Sequence, residues 1–340
     1  MKPRPKVVNV DCLYPEHYAY ERQRIEAIGA DFILRKAESE SEIIAACADA
    51  EFVVLERVSR PFTARMIGTL RECREIIASG VGYEGIDVAA ASQHGIVVSN
   101  AADYCTEEVA DHAVAMLLAS VRRLRAMNRT ARSGAFVFPI AGLRRVSKLT
   151  LGLVGLGRIA RGVAQRMSGF RVRMLAAVHH PPSTPPESGV EIVPLERLLR
   201  ESDIVSIHLP LTAETRGLIG EGAFRLMKPT AIVVNTGRGA VMDQDALVRA
   251  LQEKRIAGAA LDVMAEEPLP VTSPLCAMED LILTPHYGGV SEDSEMALQE
   301  TISDSVEAMM KGYWPPFPVN PGVQPRFPLK PWTEFHRHAD

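Results

Sequence analysis

One stretch limits the possible folds of this chain more than any other. A short apolar strand, Thr150-Leu-Gly152-Leu-Val154, runs into Gly155-Leu-Gly157-Arg158-Ile159-Ala160 and then into an apolar-periodic segment through Val163 and Met167. This is a GxGxxA pattern. Gly155 permits a tight turn, Gly157 lets the backbone approach a pyrophosphate, and Ala160 keeps the helix close to the strand. The free N–H groups at the helix start face the anion. An acidic residue normally follows about 20 positions on, where it meets the ribose. Here the next strand ends Ala177-Val178-His179-His180-Pro181, with no carboxylate to repel a 2′-phosphate and no arginine to clamp one. NADP therefore stands beside NAD as the expected coenzyme, with His179 and His180 as candidate contacts.

The rest of the chain alternates in the same way. Apolar runs at 6–10, 32–34, 52–55, 75–78 and 95–98 enclose helical patterns at 18–28, 41–48 and 63–70. A second series of strands is expected at 150–154, 173–178, 204–209, 231–235, 259–263 and 281–284. Strand–helix alternation predicts parallel sheets covered on both faces, and two series in 340 residues predict two α/β lobes. Thr106 to Leu124 reads as one long helix, with Glu107 and Glu108 in its first turn and Arg122, Arg123 and Arg125 at its end. A further helix, Ser291 to Met310, can return the chain to the first lobe. The expected division is 1–101 plus 290–340 for the first domain and 102–289 for the dinucleotide domain. After Gly312, seven prolines interleaved with Trp314, Phe317, Phe327, Trp332 and Phe335 predict an irregular packed or partner-covering arm.

Composition excludes several classes. With 47% hydrophobic and 24% charged residues and a net charge of −4, the chain is neither disordered nor a basic nucleic-acid binder. The most apolar helical stretch, Val109 to Val121, contains Asp111 and His112 and is too short for a bilayer. Lys2, Arg4 and Lys6 lead into a strand, not a signal segment. A cytoplasmic protein is expected. Its five cysteines, Cys12, Cys47, Cys73, Cys105 and Cys276, form neither a CxxC pair nor a zinc spacing, so no disulfide framework and no metal are expected.

In open α/β sheets, ligands bind beyond the carboxyl ends of the strands. Three apolar runs carry suitable chemistry there: Ala231–Asn235 is followed by Thr236, Gly237 and Arg238; Ala259–Val263 by Glu266 and Glu267; and Leu281–Thr284 by Pro285, His286, Tyr287 and Gly288. A guanidinium can hold a carboxylate, an imidazole can move a proton, and a carboxylate can orient the imidazole.

These residues, with Gly80-Val-Gly82-Tyr-Glu-Gly-Ile-Asp87, His208-Leu-Pro210-Leu-Thr212, Val234 to Gly239, Leu261-Asp262-Val263 and Thr284-Pro285-His286, resemble the D-2-hydroxyacid dehydrogenases from about residue 50 to 290. Asp103 to His112 is similar to the branch containing the C-terminal-binding-protein corepressors. The resemblance implies two Rossmann/flavodoxin-like lobes with a cofactor cleft between them, and hydride transfer between a nicotinamide and C2 of a 2-oxo or D-2-hydroxy acid. It implies that Arg238 binds the substrate carboxylate, that His286 gives the proton, and that Glu267 hydrogen-bonds the imidazole and favours its charged form. Val81 and Gly82 are implied as backbone contacts to the substrate. Thr106, Gly155, Gly157, Arg158, Ile159, Pro210, Thr215, Thr236, Gly237, Asp262 and Gly288 are implied as cofactor contacts. Glu56 and Arg57 are candidates for substrate choice, and a homodimer through the Thr106–Leu124 helix is expected. Ala102, Ala160 and Gly237 depart from residues common in relatives, and Gly237 is expected to add freedom beside Arg238. The alternative is a dinucleotide-sensing corepressor-like protein. A sensor needs only the glycine-rich turn, so the presence of Arg238, Glu267 and His286 together favours an enzyme.

Overall fold

The computed structural model describes residues 3–10, 12, 15–37, 39–56, 61–136, 142–180, 189–278 and 281–335; Lys2, Arg57 and Pro181 lie outside them. The chain divides into two compact units, one of residues 1–104 with 291–340, the other of residues 105–290.

The first unit holds a five-stranded sheet of β1 (Lys6–Val10), β2 (Asp31–Arg35), β3 (Phe52–Leu55), β4 (Glu75–Ala78) and β5 (Val97–Asn100). All pairings are parallel and the order is β2-β1-β3-β4-β5. β3, β4 and β5 are short, mostly apolar and buried along their whole length, as a sheet covered on both faces requires. β5 starts later than the periodicity suggests, because Gly95 turns the chain at φ +67°. Two apolar clusters cover the two faces. One includes Val8, Val53, Ile76 and Cys73; the other combines Val7, Phe52 and Ile77 with Ile302, Val306 and Met309 of the return helix Glu292–Met310. That helix is stapled to the helix Ala19–Ala27 by Arg24, which reaches Asp304 at 3.1 Å and Glu307 at 3.4 Å. The proline-rich tail packs on this unit. Val319 N–H donates to Val98 O at 2.7 Å and Val98 N–H to Asn320 Oδ1 at 2.8 Å, so the tail covers the free edge of β5.

The second unit holds seven parallel strands: β6 (Thr150–Val154), β7 (Arg173–Ala177), β8 (Val190–Ile192), β9 (Ile204–Ile207), β10 (Ile232–Asn235), β11 (Gly258–Leu261) and β12 (Ile282–Leu283). Their order, β12-β11-β10-β9-β6-β7-β8, reverses between β6 and β9, the switch point at which doubly wound sheets bind ligands. Gly152 sits where a Cβ would overlap Ser202 and Leu198, so the helix Leu195–Glu201 lies flush on β6. The long helix expected at 106–124 is two helices, Thr106–Val121 and Leu124–Arg132. Arg123 adopts the left-handed conformation at φ +50° and ends the first of them. Among the described residues, no helix is long and apolar enough to cross a membrane.

Glu75 is fully buried at the start of β4, and the hydroxyls of Ser305 and Ser99 donate to its Oε1 at 2.6 and 2.7 Å. Burial pushes its carboxyl up to about 7, against the opposing pull of these two hydrogen bonds. The folded state therefore holds a proton that the unfolded chain releases above the ordinary carboxylate range. The corresponding stability is complete at acid pH and is lost as pH rises towards 7. Glu75→Gln should raise the melting temperature by several degrees, roughly 3–6 °C, at pH 8 and leave it almost unchanged at pH 4.5, as read by calorimetry.

Candidate active site

The turns after β6, β9, β10, β11 and β12 share the carboxyl edge of the second sheet. After β6, Gly155 takes φ +94°, with its N–H donating to Ala177 O at 2.9 Å. A Cβ there would lie 2.8 Å from His208 O, so the turn requires glycine. Gly157 caps the helix Arg158–Ser168 without a side-chain hydrogen bond, and nothing lies within 4 Å of where its Cβ would be. The backbone at Gly157 can thus be approached closely at the start of an 11-residue helix, the position that suits a pyrophosphate. Arg158 is exposed and Ile159 half-buried at this helix start. Ala160 is fully buried below it, while Gly162 approaches Ala110 of the Thr106–Val121 helix, where an added Cβ would sit at 3.0 Å.

The turn after β9 is closed by Thr215, whose Oγ1 donates to Pro210 O and accepts from Thr212 N–H, both at 2.7 Å. After β10, Thr236 Oγ1 is buried without a hydrogen-bond partner among the described residues, an orphaned polar atom that a bound ligand can satisfy. These features fit a dinucleotide. At the end of β7, His179 Nδ1 and His180 Nε2 lie 3.0 Å apart and both residues are exposed.

Arg238, Glu267 and His286 come together at the ends of β10, β11 and β12. His286 Nδ1 and Glu267 Oε2 are 2.7 Å apart, and Met264 N–H donates to the other carboxylate oxygen at 2.9 Å. Partial burial alone would raise the Glu267 carboxyl. The hydrogen bonds from His286 and Met264, with the charges of His286 and Arg238, outweigh it and hold the group below the usual carboxylate range. Glu267 is therefore ionised at neutral pH. Arg238 is half-buried, with Nη1 donating to Gly237 O at 2.8 Å.

Gly237 does not loosen this loop as expected. Asn235 accepts from Gly237 N–H through Oδ1 and donates from Nδ2 to Arg238 O, both at 3.1 Å. The adjacent Gly239 backs onto the next turn so closely that a Cβ would overlap the Met264 carbonyl. Glycine there is what lets the Arg238 loop and the Glu267 loop touch.

Asp262 is 2% exposed and organises the His286 turn. Its backbone carbonyl accepts from His286 N–H at 2.8 Å, Oδ1 from Tyr287 N–H at 2.9 Å, and Oδ2 from Gly288 N–H at 2.9 Å. Thr284 Oγ1 donates to Oδ1 at 2.6 Å. Gly288 is required because a Cβ would lie 2.7 Å from Asp262 Oδ2. His286 itself sits at φ +61°, a strained setting that these three amide bonds hold. Val81 and Gly82 belong to the first unit, where Asn100 Nδ2 donates to Val81 O at 2.6 Å. Glu56 lies beside Ser79, whose hydroxyl donates to Oε1 at 3.0 Å, and burial raises its carboxyl. Sequence reasoning missed Asn235, the fit of Gly239 and the contact of His112 with Thr284. The only signal for the first two was their position at a strand end.

A family model for the NAD-binding domain of D-isomer-specific 2-hydroxyacid dehydrogenases matches residues 114–288. A glyoxylate reductase of Korarchaeum cryptofilum is 41% identical over 287 residues, covering 80% of this chain and 86% of its own. Among solved structures, the chain resembles the NADPH-dependent glyoxylate/hydroxypyruvate reductase of Sinorhizobium meliloti in complex with NADP and malonate. The TM-score is 0.83 at 27% identity, covering 96% of this chain and 100% of that one. It also resembles the D-lactate dehydrogenase of Aquifex aeolicus complexed with NAD and lactic acid, with a TM-score of 0.81 at 27% identity over 90% of this chain and 96% of that one.

Two glycines separate fold from binding. Gly157→Ala, at an open position, should leave thermal stability within about 1 °C and weaken dinucleotide binding at least about tenfold by calorimetric titration. Gly239→Ala should instead destabilise the protein by about 3 kcal/mol or more in a denaturant titration.

Proposed function

Since the chain belongs to the D-isomer-specific 2-hydroxyacid dehydrogenase family and is an NAD(P)-dependent oxidoreductase, we propose that it reduces glyoxylate and similar small 2-oxo acids through Arg238, Glu267 and His286. The observation that carries this reading is the convergence of a guanidinium and a carboxylate-bound imidazole at three adjacent strand ends. When bound, the nicotinamide supplies the hydride that goes to C2. The Arg238 guanidinium holds the substrate carboxylate and polarises the neighbouring carbonyl. Glu267 occupies Nδ1 of His286, which leaves Nε2 to deliver the proton to the 2-oxo oxygen. Hydride and proton together give the 2-hydroxy acid.

Gly155, Gly157, Arg158 and Ile159 would hold the pyrophosphate, with Thr106, Pro210, Thr215, Thr236, Gly237, Asp262 and Gly288 lining the remainder; the last two act by shaping the turn. The absence of an acidic residue at the end of β7 supports acceptance of NADP. Val81 and Gly82 are proposed as backbone contacts to the substrate. A homodimer is supported by the Leu124–Arg132 helix, which buries none of its residues, and by Leu124 and Phe136, which are exposed. A cytoplasmic setting suits Cys12, Cys47, Cys73, Cys105 and Cys276, none of which forms a disulfide among the described residues.

The test follows absorbance at 340 nm with NADH or NADPH against glyoxylate, hydroxypyruvate and pyruvate. Turnover is expected with glyoxylate, and absence of turnover on all three acids with coenzyme still bound contradicts the reading. Arg238→Ala and His286→Asn should each lower kcat/KM by about 10³-fold or more while coenzyme affinity persists. In Glu267→Gln the imidazole loses the carboxylate that fixes its Nδ1, so kcat should fall about tenfold or more relative to the parent. An unchanged kcat would remove Glu267 from the relay.

A further inference from the structure

Outside the three proposed catalytic residues, one polar network touches the His286 turn from another element. His112 lies on the Thr106–Val121 helix, beside the buried stripe of Val109, Ala110, Ala113, Met116 and Leu117. Its side chain is 25% exposed, and Nε2 lies 3.0 Å from Thr284 Oγ1 and 3.5 Å from Asp262 Oδ1. Thr284 Oγ1 is 2.6 Å from the same Asp262 oxygen. Donor counting fixes the directions. A carboxylate only accepts, so the single hydroxyl hydrogen of Thr284 goes to Asp262, and the hydrogen between His112 and Thr284 belongs to Nε2.

We propose that His112 is a positioning residue for His286, acting through Thr284 and Asp262. The chain of donors runs from His112 Nε2–H to Thr284 Oγ1 and from Thr284 O–H to Asp262, whose carboxylate and carbonyl hold the amides of residues 286, 287 and 288. With the hydroxyl oriented and Asp262 satisfied, the turn has one arrangement, and His286 is held at its positive φ. The turn also packs directly on the helix. A Cβ at Gly288 would lie 3.3 Å from the His112 ring, and one at Gly289 would lie 3.0 Å from Cys105 Sγ. Apolar packing alone would need no imidazole at this point. The charged groups near His112 are Asp262 across the contact and Glu108 and Asp111 on its own helix, Asp111 being paired with Arg166.

This inference rests on the proposed role of His286, and its test separates the two. His112→Leu is expected to lower kcat about tenfold to a hundredfold, with KM for the acid and the coenzyme Kd changed less than about twofold. His112→Gln, whose amide nitrogen can replace Nε2 as donor, should recover most of kcat. Thr284→Val cuts the same chain, so the double variant His112→Leu/Thr284→Val should be no slower than the slower single one. An unchanged kcat in His112→Leu, or losses that multiply in the double variant, would each overturn the proposal. The arm that needs no turnover is NMR of histidine-labelled protein without coenzyme. His286 ring signals should be single in the parent and in His112→Gln, and broadened or doubled in His112→Leu. Identical His286 signals in all three would overturn the positioning role even if the parent reduced none of the acids.

Discussion

The site depends on Asp262. Buried at the end of β11, it places one carbonyl and two carboxylate oxygens against three consecutive amides, those of His286, Tyr287 and Gly288. A lone buried carboxylate is costly; here two amide donors and the Thr284 hydroxyl compensate it. What this secures is a histidine in a backbone region that such residues rarely occupy. His286 is thereby presented to Glu267 from a turn that has little freedom to move.

Close approach between neighbouring turns does the rest. The parallel order β12-β11-β10 places the three strand ends side by side, but adjacency of strands does not by itself bring loops into contact. Gly239 removes the side chain that would separate the Arg238 loop from Met264, and the Met264 amide in turn holds Glu267. Gly152 and Gly162 do similar work below the surface, the first letting the helix Leu195–Glu201 lie on β6 and the second letting the helices Thr106–Val121 and Arg158–Ser168 approach each other. The glycine-rich turn then leaves Gly157 open to close approach at the start of the Arg158–Ser168 helix, while the carboxylate, imidazole and guanidinium occupy the opposite arm of the reversed sheet.

Much of this was legible in the sequence, because period and position carry it. Short apolar runs separated by helical periodicity give parallel strands, and residues just past those runs give the ligand edge; Arg238, Glu267 and His286 were found that way. Other parts follow from three-dimensional neighbours and leave little local trace. β8 is only three residues long, and the single alternation of Val190-Glu191-Ile192 is too short to establish a period. The break at Arg123 lies inside a good helical pattern, since no glycine or proline marks a left-handed residue there. Gly237 read as a source of freedom, yet the Asn235 side chain ties both ends of its loop. His112 read as one polar residue within an apolar helix, and its contact lies 172 positions away in the chain.

The most direct measurement is a crystal structure of the chain with NADPH and oxamate, an unreactive analogue of a 2-oxo acid. The account predicts the oxamate carboxylate on the Arg238 guanidinium, His286 Nε2 within hydrogen-bond distance of the analogue's amide carbonyl oxygen, and the Asp262 contacts to residues 286–288 unchanged. An analogue bound away from Arg238, or a His286 turn released from Asp262 in the complex, would contradict it.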